Sequence, residues 1–188
     1  MPNWNDNIVV IEGPSAAVNG FLQIGAPNWV DNVWTEFSMD NFYPEPKDDN
    51  GEPSKGWYGW RVDNWGCKWD IREMLIEMDE DFHNATATLI FQTPWGPNTE
   101  FWKRIAEDYK ELTISLSYYE GGMQFGGRVE WEEGNVVVDD EYEAPKEDGD
   151  VEGWEDFAEA IRCLGFEGES EYLTESFIPE LIEEWEAA

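Results

Sequence analysis

The chain has little of what most catalytic and metal-binding sites are made from. It holds one histidine, His83, and two widely separated cysteines, Cys67 and Cys163. A lone histidine cannot build a two- or three-His zinc site, and two distant thiols make neither a disulfide framework nor a metal cluster. No metal ligand set is assigned. The acids beside His83 (Asp79, Glu80, Asp81) lack calcium-loop spacing, and this stretch reads as plain surface. Cysteine usage fits a reducing, cytoplasmic setting. Basic residues are also scarce: 11 Lys and Arg stand against 43 Asp and Glu, a net charge of −32. Such a charge repels nucleic acid and anionic lipid, both of which are bound through Lys and Arg. There is no apolar run long enough to span a bilayer and no basic segment leading into an apolar one at the N-terminus, so neither a membrane span nor a signal peptide is expected. No Gly-rich phosphate loop, Gly-x-Ser-x-Gly, His-Glu-x-x-His or kinase-like set occurs. Among 43 acids a pair of carboxylates is uninformative. No catalytic residue and no cofactor is therefore assigned, and an enzyme is the less favoured reading.

Aromatic residues and carboxylates are abundant. Twelve Trp, ten Phe and seven Tyr in 188 residues, with 41% hydrophobic residues, argue against a disordered chain. The length suits one domain with an appendage. The charge is uneven: residues 1–134 carry 24 acids and 9 bases, whereas residues 135–188 carry 19 acids and 2 bases. The shorter part holds more than half of the net charge.

Hydrophobic periodicity orders the elements. Residues 7–12 read as a β-branched strand, then a turn at Gly13-Pro14 and a helix over 15–24 with Ser15 as cap. A short strand or irregular segment is expected around Phe37–Phe42, and residues 44–56 form a Pro- and Asp-rich loop. The Trp-dense stretch 57–69 reads as irregular. Strands are expected at 85–92, 112–119, 125–132 and 135–141, the last two joined by a hairpin at Glu133-Gly134. A helix over 99–111 shows Phe101, Trp102, Ile105 and Tyr109 on one stripe, with Thr99 as cap. Trp154, Phe157, Ala158, Ile161 and Leu164 repeat at helical spacing, and Phe177–Trp185 reads as a further short helix. Both are too short to stand alone and need a docking surface. The expected fold is α+β: a ferredoxin-like antiparallel sheet with helices on one face over 1–142, plus an acidic linker and short docked helices over 143–188.

Several blocks carry a family resemblance: Met1-Pro2-Asn3-Trp4, Asn64-Trp65-Gly66-Cys67-Lys68-Trp69-Asp70, Phe91-Gln92-Thr93-Pro94-Trp95-Gly96-Pro97, and Tyr118-Tyr119-Glu120 with Phe125-Gly126-Gly127. Over residues 1–134 the chain resembles the Api92-like, YubB-type ferredoxin-like domain family of phages and plasmids. The central Asn-Trp-Gly-x-Lys-Trp-Asp block is its specific part. Members of that family usually have Cys where this chain has Asn5 and Thr where it has Cys67. The resemblance implies a fold and a mobile-element context, and no activity.

Two groups of residues stand out. Asn64, Trp65, Lys68, Trp69 and Asp70 form the most site-like cluster. The first reading is a structural block, with Lys68 paired to Asp70 or Asp63; the second is a small-ligand or anion site with Arg61 and Arg72. The other group is the acidic set Asp139, Asp140, Glu141, Glu143, Glu155, Glu159, Glu169, Glu175, Glu180, Glu183 and Glu184, read as an interaction surface. Its expected partner is a basic, nucleic-acid-binding host protein, inhibited by carboxylates that stand where phosphates would, as in a DNA mimic; direct nucleic-acid binding is not expected. The competing readings are a halophilic or accessory structural protein without a dedicated target, and a ligand-binding protein or enzyme with its site near Lys68.

Overall fold

The structure, a computed structural model, describes residues 2–146 and 150–173. Seven strands form one antiparallel sheet: β1 (Trp4–Pro14), β2 (Val33–Glu36), β3 (Glu73–Glu80), β4 (Asn84–Pro94), β5 (Thr113–Glu120), β6 (Phe125–Glu132) and β7 (Asn135–Glu143), in the order β2-β3-β4-β1-β5-β6-β7. The helices are α1 (Ser15–Gly25), α2 (Trp57–Trp65), α3 (Thr99–Asp108), α4 (Val151–Cys163) and α5 (Glu167–Tyr172). The succession β1-α1-β3-β4-α3-β5 is the βαββαβ unit of a ferredoxin-like fold. β2 extends its sheet at one edge, and β6 and β7 extend it at the other.

Period-2 alternation divides the sheet into two faces. Val9 and Ile11, Leu89 and Phe91, Ile114 and Leu116, and Val129 and Trp131 are buried on one face, together with the apolar sides of α1 and α3. Phe21 of α1 meets Trp102 of α3 at 6.0 Å between ring centroids, and Phe91 of the sheet meets Trp102 at 6.1 Å. Neither expected cap acts as one. The residue before α1 is Pro14, and Ser15 Oγ donates to the Asp81 carbonyl at 3.3 Å; the residue before α3 is Asn98, whose Oδ1 accepts from Trp102 Nε1 at 3.0 Å. The tight β6–β7 turn places Glu133 and Gly134 at φ 51° and 79°, the left-handed pair that a two-residue hairpin needs.

The C-terminal helices take the opposite face. Trp154, Phe157, Ala158, Ile161 and Leu164 are buried against Tyr119 of β5 in a second core, as their helical spacing predicts. α4 comes so close to β6 that a Cβ on Gly126 would lie 2.8 Å from Ile161 Cδ1. α4 therefore docks on the sheet. The further helix expected at Phe177–Trp185 lies outside the described residues.

Four elements lie where none was expected, β2 and α5 among them, and the segment 37–42 holds a 3-10 turn at Met39–Asn41. The stretch 57–65 is a helix, α2, and residues 73–80 form a strand. α2 starts after Gly56 and stops at Gly66, both at positive φ (92° and 75°). Gly66 also approaches the start of α3: a Cβ there would lie 3.0 Å from Asn98 backbone atoms. Glycine is required at this position both for its φ and for the space.

Candidate functional site: a tryptophan groove and an acidic edge

The Asn64–Asp70 block is held from inside. Arg61 of α2 donates from Nε and Nη2 to the Glu45 carboxylate at 2.8 and 2.7 Å and from Nη1 to the Lys68 carbonyl at 3.2 Å. Its guanidinium lies 4.8 Å from the Trp57 ring and 5.2 Å from the Trp65 ring. Asn64 donates to the Trp60 carbonyl at 2.7 Å and accepts from Arg104 at 2.6 Å, and the Arg104 guanidinium sits 3.7 Å from the Tyr43 ring. Burial and the bond to Asp108 raise the Tyr43 hydroxyl well above its usual range. Trp65 is buried and donates to the Tyr43 carbonyl at 3.1 Å. Cys67 is buried beside it, and desolvation, helped by Asp70, pushes its thiol up to about 12. Such a thiol is inert.

Lys68 does not pair with Asp70 or Asp63. Asp70 accepts from Ser38 Oγ at 2.5 Å and from the Met39 amide at 2.7 Å, tying the block to the 3-10 turn Met39–Asn41. Burial raises the Asp70 carboxyl above its ordinary value, against these hydrogen bonds. Lys68 Nζ instead lies 4.8 Å from the Trp69 ring and 5.6 Å from the Trp95 ring. Trp95 adopts φ 66°, unusual for a bulky residue and worth about 1–2 kcal/mol of strain.

Trp69 borders a groove of about 1020 Å³ on the sheet face opposite α1 and α3. Trp4, Trp34 and Trp69 line it with Asp6, Arg72 and Glu73. Trp4 and Trp69 are 6.2 Å apart, and Trp69 and Trp95 are 5.6 Å apart. β1 contributes Trp4 and Asp6 by alternation: Asn5 and Asn7 between and beyond them turn inward and are fully buried. Gln92 on β4 faces Asp6 across the register and donates to it at 2.7 Å. The block's readings as structure and as the wall of a concave site are thus compatible. Trp34 and Arg72 join the site from β2 and from the residue preceding β3. Sequence reasoning missed Trp34, and only strand register places it there.

The strand members of the acidic set occupy the other end of the sheet, whereas Glu169 on α5 lines a surface pocket with Trp4 and Asp6. β7 is an edge strand, and Asp139, Asp140, Glu141 and Glu143 on it are exposed. Register puts Glu141 opposite Gly127 and Asp139 opposite Val129, on the α1–α3 side, and burial followed by Glu141 and Asp139 raises the Tyr118 hydroxyl to about 12. Asp140 faces Arg128 in the β6–β7 register. Glu155 and Glu159 are exposed on α4, with Glu152 and Asp156 beside them, and Glu169 is exposed on α5. Two of these acids carry a base: Glu143 accepts from Lys146 at 2.7 Å, and Glu159 accepts from Arg162 at 2.9 and 2.5 Å. Glu175, Glu180, Glu183 and Glu184 lie outside the described residues. Among the described residues no group of three or more His, Cys, Asp or Glu is placed to hold a metal ion, and no helix is long and apolar enough to cross a membrane.

Comparison with curated proteins gave no match. A crystal structure of a protein api92 from Yersinia pseudotuberculosis is similar in fold, with a TM-score of 0.51 at 12% identity, over 78% of this chain and 100% of that one. A family profile described as the ferredoxin-like domain in Api92-like protein matches residues 65–164, from Trp65 of the central block through β7 and α4. With more than half of its length matched, the chain belongs to the family of Api92-like proteins with a ferredoxin-like domain.

Proposed function

We propose that this is an acidic mobile-element protein that binds a basic, nucleic-acid-binding protein in the host cytoplasm and inhibits it by occupying the Lys and Arg that would otherwise meet phosphate. The observation that carries this reading is the density of exposed carboxylates on β7, an edge strand, and on α4, a helix docked on the same sheet, with Asp139 and Glu141 toward the α1–α3 face and α4 on the other. Same-face residues of a strand are about 6.8 Å apart, whereas a duplex presents a charge every ~1.7 Å of its axis. One face of β7 thus reaches about a quarter of that density. Both faces of the strand and α4 are needed to approach it. Lys146 and Arg162 do not spoil the surface. Exposed pairs of this kind are worth little, and the partner's own bases can replace them.

Charge complementarity of this kind chiefly raises the rate of encounter and is screened by salt. Affinity capture from host lysate at low and at high salt tests it. The expected result is a basic protein retained at low salt and released at high salt. Recovery of no basic protein at low salt overturns the reading. The halophilic alternative predicts instead that the chain unfolds in dilute buffer and melts far higher in molar KCl.

A further inference from the structure

The tryptophan groove lies away from β7, and we infer that it receives an arginine side chain of a basic protein partner. This rests on the reading that the partner is basic, and it adds a second, chemically distinct contact. Trp4 and Trp34 are 47% and 55% exposed, although an indole is among the largest apolar surfaces a side chain can bury. Lys68 already sits at Trp69 and Trp95, so Trp4 and Trp34 are the rings open to a ligand. Asp6, Asp70 and Glu73 line the same groove with Arg72, and Lys68 sits on its Trp69 wall; Asp70 is already held by Ser38 and Met39, which leaves Asp6 and Glu73 to face a ligand in a chain of net charge −32. The charged group such a groove attracts is a cation. Indole faces beside carboxylates suit a guanidinium best: its plane stacks on the ring while its N–H fork meets the carboxylate, and it is more weakly hydrated than an ammonium.

The chain contains an internal version of the same contact. Arg61 stacks near Trp57 and Trp65 while its fork is paired to Glu45. Asp6 in the groove is held in position by Gln92, as a carboxylate awaiting a partner needs to be. An anion would meet Asp6 and Glu73 and the negative field of the whole chain. A neutral sugar would stack on the rings and donate hydroxyls to the carboxylates but leave their charge uncompensated, and a neutral aromatic ligand would use the rings alone.

The test uses the full chain titrated with hexa-arginine, hexa-lysine and a neutral hexasaccharide, followed by tryptophan fluorescence and calorimetry. Trp34→Ala and Glu73→Gln are the groove variants, with folding checked by circular dichroism. Both positions are exposed, so the fold survives the changes. A combined Asp139→Asn, Asp140→Asn, Glu141→Gln variant is the comparison. Hexa-arginine is expected to bind several-fold more tightly than hexa-lysine, and each groove variant to weaken it by about fivefold or more. Unchanged hexa-arginine affinity in both groove variants overturns the inference, as does a hexasaccharide that binds as tightly as hexa-arginine. Capture of a basic protein that depends on β7 but not on the groove variants refutes the groove and leaves the acidic edge standing. Groove-dependent hexa-arginine binding without any captured basic protein supports the groove and removes the proposed function.

Discussion

Replacing Arg61 by Ala should be among the most damaging single changes in the chain. Its partner Glu45 is 3% exposed at the side chain, while Arg61 itself is 19% exposed. Removing the guanidinium leaves a buried carboxylate without its two charge-assisted bonds, and also frees the Lys68 carbonyl and two indole faces. Breaking a buried pair costs about 3–5 kcal/mol. The partial exposure of Arg61 points to the lower end, about 3 kcal/mol. With a urea slope of roughly 2 kcal/mol per molar for a domain of this size, the unfolding midpoint should fall by about 1.5 M. The combined change Arg61→Met with Glu45→Leu removes the stranded charge and should recover most of the loss. Urea unfolding followed by tryptophan fluorescence reads all three proteins. An Arg61→Ala midpoint within about 0.25 M of the parent would refute the reasoning, as would a double variant no more stable than the single one.

Ile161→Ala should cost about 2–4 kcal/mol, because Ile161 is fully buried between α4 and the sheet, and amide exchange should speed up across α4 more than across β1. The two thiols should separate cleanly: a disulfide reagent should modify exposed Cys163 in the native state and reach buried Cys67, with its thiol at about 12, only on unfolding. Asp70 gives a pH effect of defined sign. Burial raises its folded-state value above the ordinary 3.8, so the folded form holds the proton more tightly and this group's contribution to stability declines as pH rises from 3.8 through the raised value. Asp70→Asn should therefore show a shallower loss across that window than the parent in urea midpoints taken at a series of pH values, and an unchanged slope would contradict it.

Strands and helices whose periodicity reports burial were legible in the sequence. Leu112, Ile114, Leu116 and Tyr118 alternate with polar residues and do line one face, and the α4 stripe is the buried stripe. α2 was not legible, because Gly59 and closely spaced aromatic residues hide its period, and Arg61 stabilises it through Glu45 and the Trp rings in ways no local pattern shows. β3 was hidden by Glu-Met-Leu-Ile-Glu-Met-Asp-Glu, whose residues favour helix; pairing with β2 and β4 overrides that preference. The structural role of Asn64 and Trp65 could be read from their block. The Lys68–Asp70 pairing failed because Ser38 Oγ and the Met39 amide take the carboxylate and Lys68 turns to the indole rings. The groove was invisible in sequence, since Trp4, Trp34 and Trp69 converge from three distant segments and only the register of the sheet brings them together.

The decisive measurement is a comparison of the parent chain with a variant in which Asp139, Asp140, Glu141, Glu155, Asp156 and Glu159 are changed to their amides. Both are used to capture proteins from host lysate at low salt, with duplex DNA as competitor. The prediction is that the parent retains a basic, nucleic-acid-binding protein, that the DNA displaces it, and that the folded variant does not retain it. Equal retention by parent and variant, or retention that duplex DNA leaves untouched, would contradict the claim that carboxylates on β7 and α4 take the place of phosphate.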